Sequence, residues 1–292
     1  MPGNPARPTH QNNPVGQTRK IRAARGAWRK HARGVRKWVL AWLRDIPATQ
    51  IEANAGRITV NRYEYQISPA ELDRFVAELA RRLANEGVNT AYWQQVRAAY
   101  EQGTGDEVVN LQTITDGLYE REVLGVIQSQ AWQQRVALIQ ARVFEEMRGF
   151  EGDTARDLAR VLRGGVENGL NPREVAGTIR KRFDVSQSRA NRIARTEITQ
   201  AYRRARWDED ADAQQRLDIR TGLLWFSALS ETTREWHAAR HGQVYTQEQV
   251  RRFYSEGANA INCQCSQSSV LLDENGQPAN QAFIDRVKAS RK

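Results

Sequence analysis

Soft ligands are scarce in this chain: its 292 residues include two cysteines, two methionines and four histidines. Cys263 and Cys265 stand one residue apart, too close in sequence for good bridging geometry. That excludes a disulfide framework and points to synthesis in a reducing compartment. No apolar run approaches the roughly 20 residues of a membrane span, so a membrane partner is not expected. The opening "MPGNPARPTHQNNPVGQTRK" lacks the apolar segment of a secretory signal. A Gly-rich phosphate loop and a Ser-His-acid set are both missing, and with them the usual signs of nucleotide-dependent or nucleophilic catalysis. No small-molecule substrate is expected.

Acid is missing as well, but only locally. Residues 1–44 hold no Asp or Glu and eleven cations: Arg7, Arg19, Lys20, Arg22, Arg25, Arg29, Lys30, Arg33, Arg36, Lys37 and Arg44. These exceed the net charge of the whole chain, +10, so residues 45–292 sum to −1. The basicity is an arm and not a property of the fold. A segment of one sign contacts a polyanion or an acidic protein face, and double-stranded DNA, through phosphate neutralisation, is the first candidate. The run from Arg19 to Lys37 supplies the candidate contacts, and removing residues 1–44 is expected to leave the fold intact.

Residues 1–17, rich in Pro, Asn, Gly and Gln, read as a disordered tail. From Thr18 the pattern turns helical, with Trp28, Val35, Trp38, Val39, Trp42 and Leu43 near a 3.6 period. The tryptophans are candidate anchors for a partner, and the Trp38–Leu43 end is expected to pack on its own domain. "RITVNRYEYQI" suggests a hairpin, "SPAELDRFVAELARRL" a capped helix, and "TAYWQQVRAAYEQ" a helix ending at the glycines of "GTGDE". From about Leu118 to Ala213 the chain reads as almost continuous helix, with a fresh start at Asn171 and Pro172. The acidic run Asp208, Glu209, Asp210 and Asp212 reads as a solvated helix end. After Arg220 come the buried strand "GLLWFSAL", a short helix in "ETTREWHAARHG", and strands in "QVY" and "INCQCSQSSVLL". The fold class is therefore mainly α, with long helices in the body and a small C-terminal α+β module holding a short antiparallel sheet. The divisions are 1–17, 18–110, 111–220 and 221–292.

The last division gathers the scarce ligands. His237, His241, Cys263 and Cys265 fall within 29 positions, while His10 and His31 lie far away. His237 and His241, at i and i+4, share a helix face; Cys263 and Cys265, at i and i+2, share a strand face. Two thiolates and two imidazoles suit a structural zinc ion with no open position. The alternative without metal is a pair of buried cysteines beside two satisfied histidines. An enzyme built here, a metal-dependent nuclease or processing hydrolase, would have only Glu231 or Glu235 nearby as a base.

The order "RANRIARTEITQAYRRA", "LLWFSALSETTREWHAARHGQVY", "GANAINCQC" resembles the phage head morphogenesis family, the minor head proteins similar to the F protein of phage Mu. Arg195, Thr196 and Glu197 match the family's Arg-Thr-Glu helix; His237, Gly242, Cys263 and Cys265 match its later positions. Ser230 stands where the family has Asp, and Gln264 where it has Arg. The resemblance covers roughly residues 118–270. It implies a non-enzymatic virion component that associates with the portal protein and other head proteins, sits inside the capsid near the portal after assembly in the host cytoplasm, and acts in DNA packaging or genome ejection. A toxin-fused member of the family would need a further domain, and only about 20 residues follow the last strand.

Overall fold

The computed structural model describes residues 3–55 and 58–290, with residues 52–61 described by backbone alone. The alternation read at Ile58 and Val60 lies outside the described side chains. The chain is mainly helical, with a small antiparallel sheet near its C-terminal end. It divides into two compact units. Unit 1 takes Met1–Arg22, Trp93–Ala141 and Arg192–Lys292; unit 2 takes Ala23–Tyr92 and Arg142–Asn191. Among the described residues no helix is long and apolar enough to cross a membrane.

Unit 2 is built on most of α1 (Thr18–Asp45), the hairpin β1 (Ala48–Ala55) and β2 (Ile58–Tyr65), α2 (Pro69–Leu83), and parts of α5 (Gln130–Glu167) and α6 (Pro172–Leu217). The residues expected to form a whole hairpin instead form one strand, which pairs antiparallel with 48–55. The capping box holds: Ser68 accepts from the Glu71 N–H, and Glu71 accepts from the Ser68 N–H at 2.9 Å. Along α1, Ala24, Trp28, Ala32, Val35, Val39 and Leu43 are buried at spacings of three and four, one face of a helix.

The tryptophans of α1 are not free anchors. Trp28 packs edge-on against Phe150, and Trp38 and Trp42 stack on Phe75 with ring centroids 4.3 and 3.5 Å away. Arg82 lies over the Trp38 ring, 4.4 Å from its centroid. The helix is therefore core on one side and basic on the other, so its removal takes the middle out of unit 2. That corrects the expectation of a dispensable arm.

Unit 1 holds most of α3 (Glu86–Ile114), α4 (Val123–Ile127), the second part of α6 and the C-terminal module. Helix α3 does not stop at its glycines. A Cβ on Gly103 would sit 2.3 Å from the Tyr202 carbonyl oxygen, so this glycine serves helix-to-helix approach and not termination. The acidic run in α6 is not solvated either. Arg135 pairs with Asp212 at 2.7 Å and Arg251 with Asp208 at 2.8 Å, while buried Glu209 accepts from Tyr119 and from Arg121. Buried Asp210 accepts from Thr221, Gln247 and Gln214. Successive helix positions do point in different directions, as the sequence implies, but here every direction meets protein. Beside them Arg206 and Glu107 form a buried ion pair at 2.6 Å.

The module's sheet has the order β4-β3-β5, with β3 (Thr221–Phe226) between β4 (Val244–Tyr245) and β5 (Ser266–Leu271). Strand β3 is buried on both faces. Leu223 and Trp225 enter a cluster with Trp207, Val250, Phe253, Cys263 and Cys265. Leu224 and Phe226 enter another with Val270, Phe283, Ile284 and Val287. Helices α8 (Gln247–Ser255) and α9 (Gln281–Ala289) supply these clusters with residues on opposite faces. The segment before α1, read as a disordered tail, is laid along this module: the Ala6 N–H donates to Asn110, Ser268 donates to the Ala6 carbonyl, and Arg7 lies over the Phe283 ring.

Candidate functional site

Three of the four sequence-selected ligands meet. The ligand atoms of His237, Cys263 and Cys265 lie within 4.8 Å of one another, and all three residues are buried. His237 is placed by α7 (Glu235–Ala238), whose single turn ends before residue 241. The i, i+4 helix face expected for the two histidines therefore does not exist. His241 turns to the other side of β3, where the Ser227 N–H donates to its Nδ1 at 3.1 Å, its Nε2 meets Ser290 Oγ at 3.1 Å, and its ring packs edge-on to Phe226. Both nitrogens are engaged there.

The cysteines precede β5 and do not lie on it; α6 sets their shape. The Asn262 N–H donates to Thr196 Oγ1 at 3.1 Å, steadying a residue with φ of 57° just before Cys263. One helical heptad further along, Arg203 Nη1 donates to the carbonyls of Cys263 and Cys265 at 3.1 and 3.2 Å. This gives the Arg-Thr-Glu helix a physical role: its threonine and the arginine seven residues on fasten the closing Cys-x-Cys turn. Gly242 shows a comparable constraint. Its φ is +72°, and a Cβ there would meet Lys288 backbone at 2.8 Å.

The electrostatics follow from burial. Arg203 is fully buried and, among the described residues, has no carboxylate partner. Its guanidinium lies 4.4 Å above the Tyr254 ring. A hydrogen bond from Cys265 holds the Cys263 thiol well below its ordinary range, helped by His237 and Arg203. The same hydrogen bond, together with burial, pushes Cys265 up. The two shifts run in opposite directions, with the charged form favoured at Cys263, beside the buried Arg203 guanidinium. Arg234 Nη1 stands 3.3 Å from His237 Nε2, which makes that nitrogen the acceptor and leaves the Nδ1 proton facing the sulfurs.

A zinc ion bound at ordinary lengths, about 2.3 Å to sulfur and about 2.0 Å to nitrogen, would set tetrahedral N···S edges near 3.6 Å. His237 Nδ1 lies 3.5 Å from Cys263 Sγ and 3.8 Å from Cys265 Sγ. The sulfur donors and the spacing suit zinc, but binding at Nδ1 requires the His237 proton to move to Nε2 and the Arg234 contact there to be given up. Among the described residues no fourth His, Cys, Asp or Glu joins the group. Glu231 and Glu235 are exposed and outside it.

The α1 cations divide. Lys20 reaches Gln102, Arg25 donates to the Asn191 carbonyl, and Arg36 lies 3.7 Å from Asp184. Arg19, Arg22, Arg29, Lys30, Arg33 and Lys37 are exposed. Sequence reasoning missed Arg203 and Tyr254, since neither residue type marks itself as a partner of distant sulfurs.

Residues 156–268 match the family described as Phage Mu protein F like protein, which supports the assignment to phage head morphogenesis drawn from the order of the motifs. No curated protein and no solved structure matches the chain significantly.

Proposed function

We propose, from the match of residues 156–268 to the phage Mu F-like family, that this chain is a minor head protein of a tailed bacteriophage. In this reading it joins the portal protein and other head proteins at the portal vertex, after synthesis in the host cytoplasm, and acts in head morphogenesis, packaging or ejection. It meets double-stranded DNA, without sequence preference, through the basic face of α1. The family match is the observation that carries the reading; eleven cations without an acid before Asp45 support the DNA contact. The role is non-catalytic, and the His237, Cys263, Cys265 cluster is a staple for a thin module, with zinc as its ion. Co-expression with the portal protein and sedimentation at low salt tests this reading: the two should travel together, and clean separation would overturn the portal association.

One observation favours a second reading. Three ligands leave a fourth position at a zinc ion, the arrangement a hydrolase uses for water. Cleavage of DNA by the zinc-loaded chain, lost in Cys263→Ser, would replace the structural reading with the enzymatic one.

A further inference from the structure

Beyond the basic face of α1 as a whole, unit 2 contains a shaped place for a polyanion. A groove of about 810 Å³ runs between the C-terminal half of α1 and the first turns of α6. Arg33, Arg36, Lys37 and Arg44 line one wall, and Arg173 and Arg180 the other. Leu40, Ala41 and Ala176 contribute apolar surface to the lining, and no Asp or Glu lines it. We infer that this groove is the seat of one strand's phosphate backbone in duplex DNA. The inference rests on the proposed DNA contact and names its site.

Charge is the first argument. Arg36 and Arg44 have weak acidic neighbours, Asp184 at 3.7 Å and Asp45 at 3.2 Å. Among the described residues, the side chains of Arg33, Lys37, Arg173 and Arg180 have no ion pair or hydrogen bond, and all four are exposed. Six cations converging on one concave surface repel each other, and low-dielectric walls concentrate their field. The first turn of a 46-residue helix adds its positive end, since Pro172 and Arg173 belong to the lining.

Length and lining select the ligand. Arg33 to Arg44 spans eleven helical residues, about 16 Å, which is longer than any single phosphate needs. Duplex DNA presents roughly nine charges along that distance of its axis. A small apolar floor suits sugar edges, whereas a protein partner would call for aromatic anchors, and none lines the groove. Arg173 and Arg180 lie seven residues apart on one face of α6, well outside the basic arm, so the groove joins cations that the sequence keeps some 130 residues apart.

The test uses the full chain and a labelled 30-base-pair duplex of arbitrary sequence. Arg173→Gln combined with Arg180→Gln leaves α1 untouched and should weaken binding at least about tenfold at 0.1 M salt, while lowering the magnitude of the log–log salt slope by about 1.8. A control, Arg160→Gln combined with Arg216→Gln, removes the same charge from exposed positions outside the groove and should change affinity less than twofold. Equal losses in both variants would mean diffuse attraction and overturn the groove. So would an unchanged groove variant, or a groove variant that loses binding to anionic vesicles and not to DNA. If the unaltered chain binds no duplex at low salt, the DNA contact itself fails, and the groove with it.

Discussion

The two ends of this protein handle charge in opposite ways. In the C-terminal module the reactive groups face inward: His237, Cys263, Cys265 and Arg203 are all nearly sealed from solvent, and each is engaged by a neighbour. On α1 the apolar residues face inward and the charges face out, most of them in the open. Burial fixes a group's protonation and geometry, at a desolvation cost that only partners offset; exposure leaves it available for a ligand that brings its own charge. The difference teaches that a cluster of chemistry-bearing residues and a working surface are different things. The module's reactive groups meet one another, while most of the cations of α1 stand exposed to solvent.

The strongest way to break this comparison is to delete residues 1–44. If α1 were only a charged arm, the remainder would keep its native spectrum. Since Trp28, Val35, Val39 and Leu43 belong to the core, the deletion should leave unit 2 without a folded state, read as loss of dispersion in an amide NMR spectrum.

A more local blow falls on the module. Arg203→Ala removes the donor to two buried carbonyls and the cation beside the buried cysteines, with an expected cost of about 3–5 kcal/mol in denaturant unfolding. DNA affinity measured where the variant is still folded should stay unchanged. A loss below about 1 kcal/mol would mean the guanidinium is not what holds the closing turn.

The smallest effect sharpens the rule that burial needs partners. Glu151 is buried in unit 2, accepts from the Asn85 N–H and from Asn89, and is pushed above the usual carboxylate range by desolvation. A carboxyl raised in the folded state favours folding when protonated, so its contribution declines as pH rises from about 4 through the folded value. Glu151→Gln keeps an acceptor without the charge. It should raise the melting temperature at pH 7, and the gain should shrink toward pH 4. A gain that grows on acidification would contradict the assignment.

Much of the architecture was legible because it is local. The caps at Ser68 and Asn171, the apolar face of α1 and the run "LLWF" announce themselves within a few residues. The convergence of His237 with the two cysteines was also readable, from the concentration of rare ligands. What was not legible depends on long-range partners. Gly103 looks like a helix stop until Tyr202 is laid against it. The acids of α6 look solvated until Tyr119, Arg121, Arg135 and Thr221 arrive. His241 seems paired with His237 only if the helix continues, and α7 is one turn long. The wall formed by Arg173 and Arg180 was invisible for the same reason.

Hydrogen–deuterium exchange of the full chain, with and without a 30-base-pair duplex, tests the division of roles most directly. Protection should appear in peptides covering 33–44 and 172–180 and leave those covering 234–271 unchanged. Protection confined to 234–271, with the α1 and α6 peptides unaffected, would contradict it.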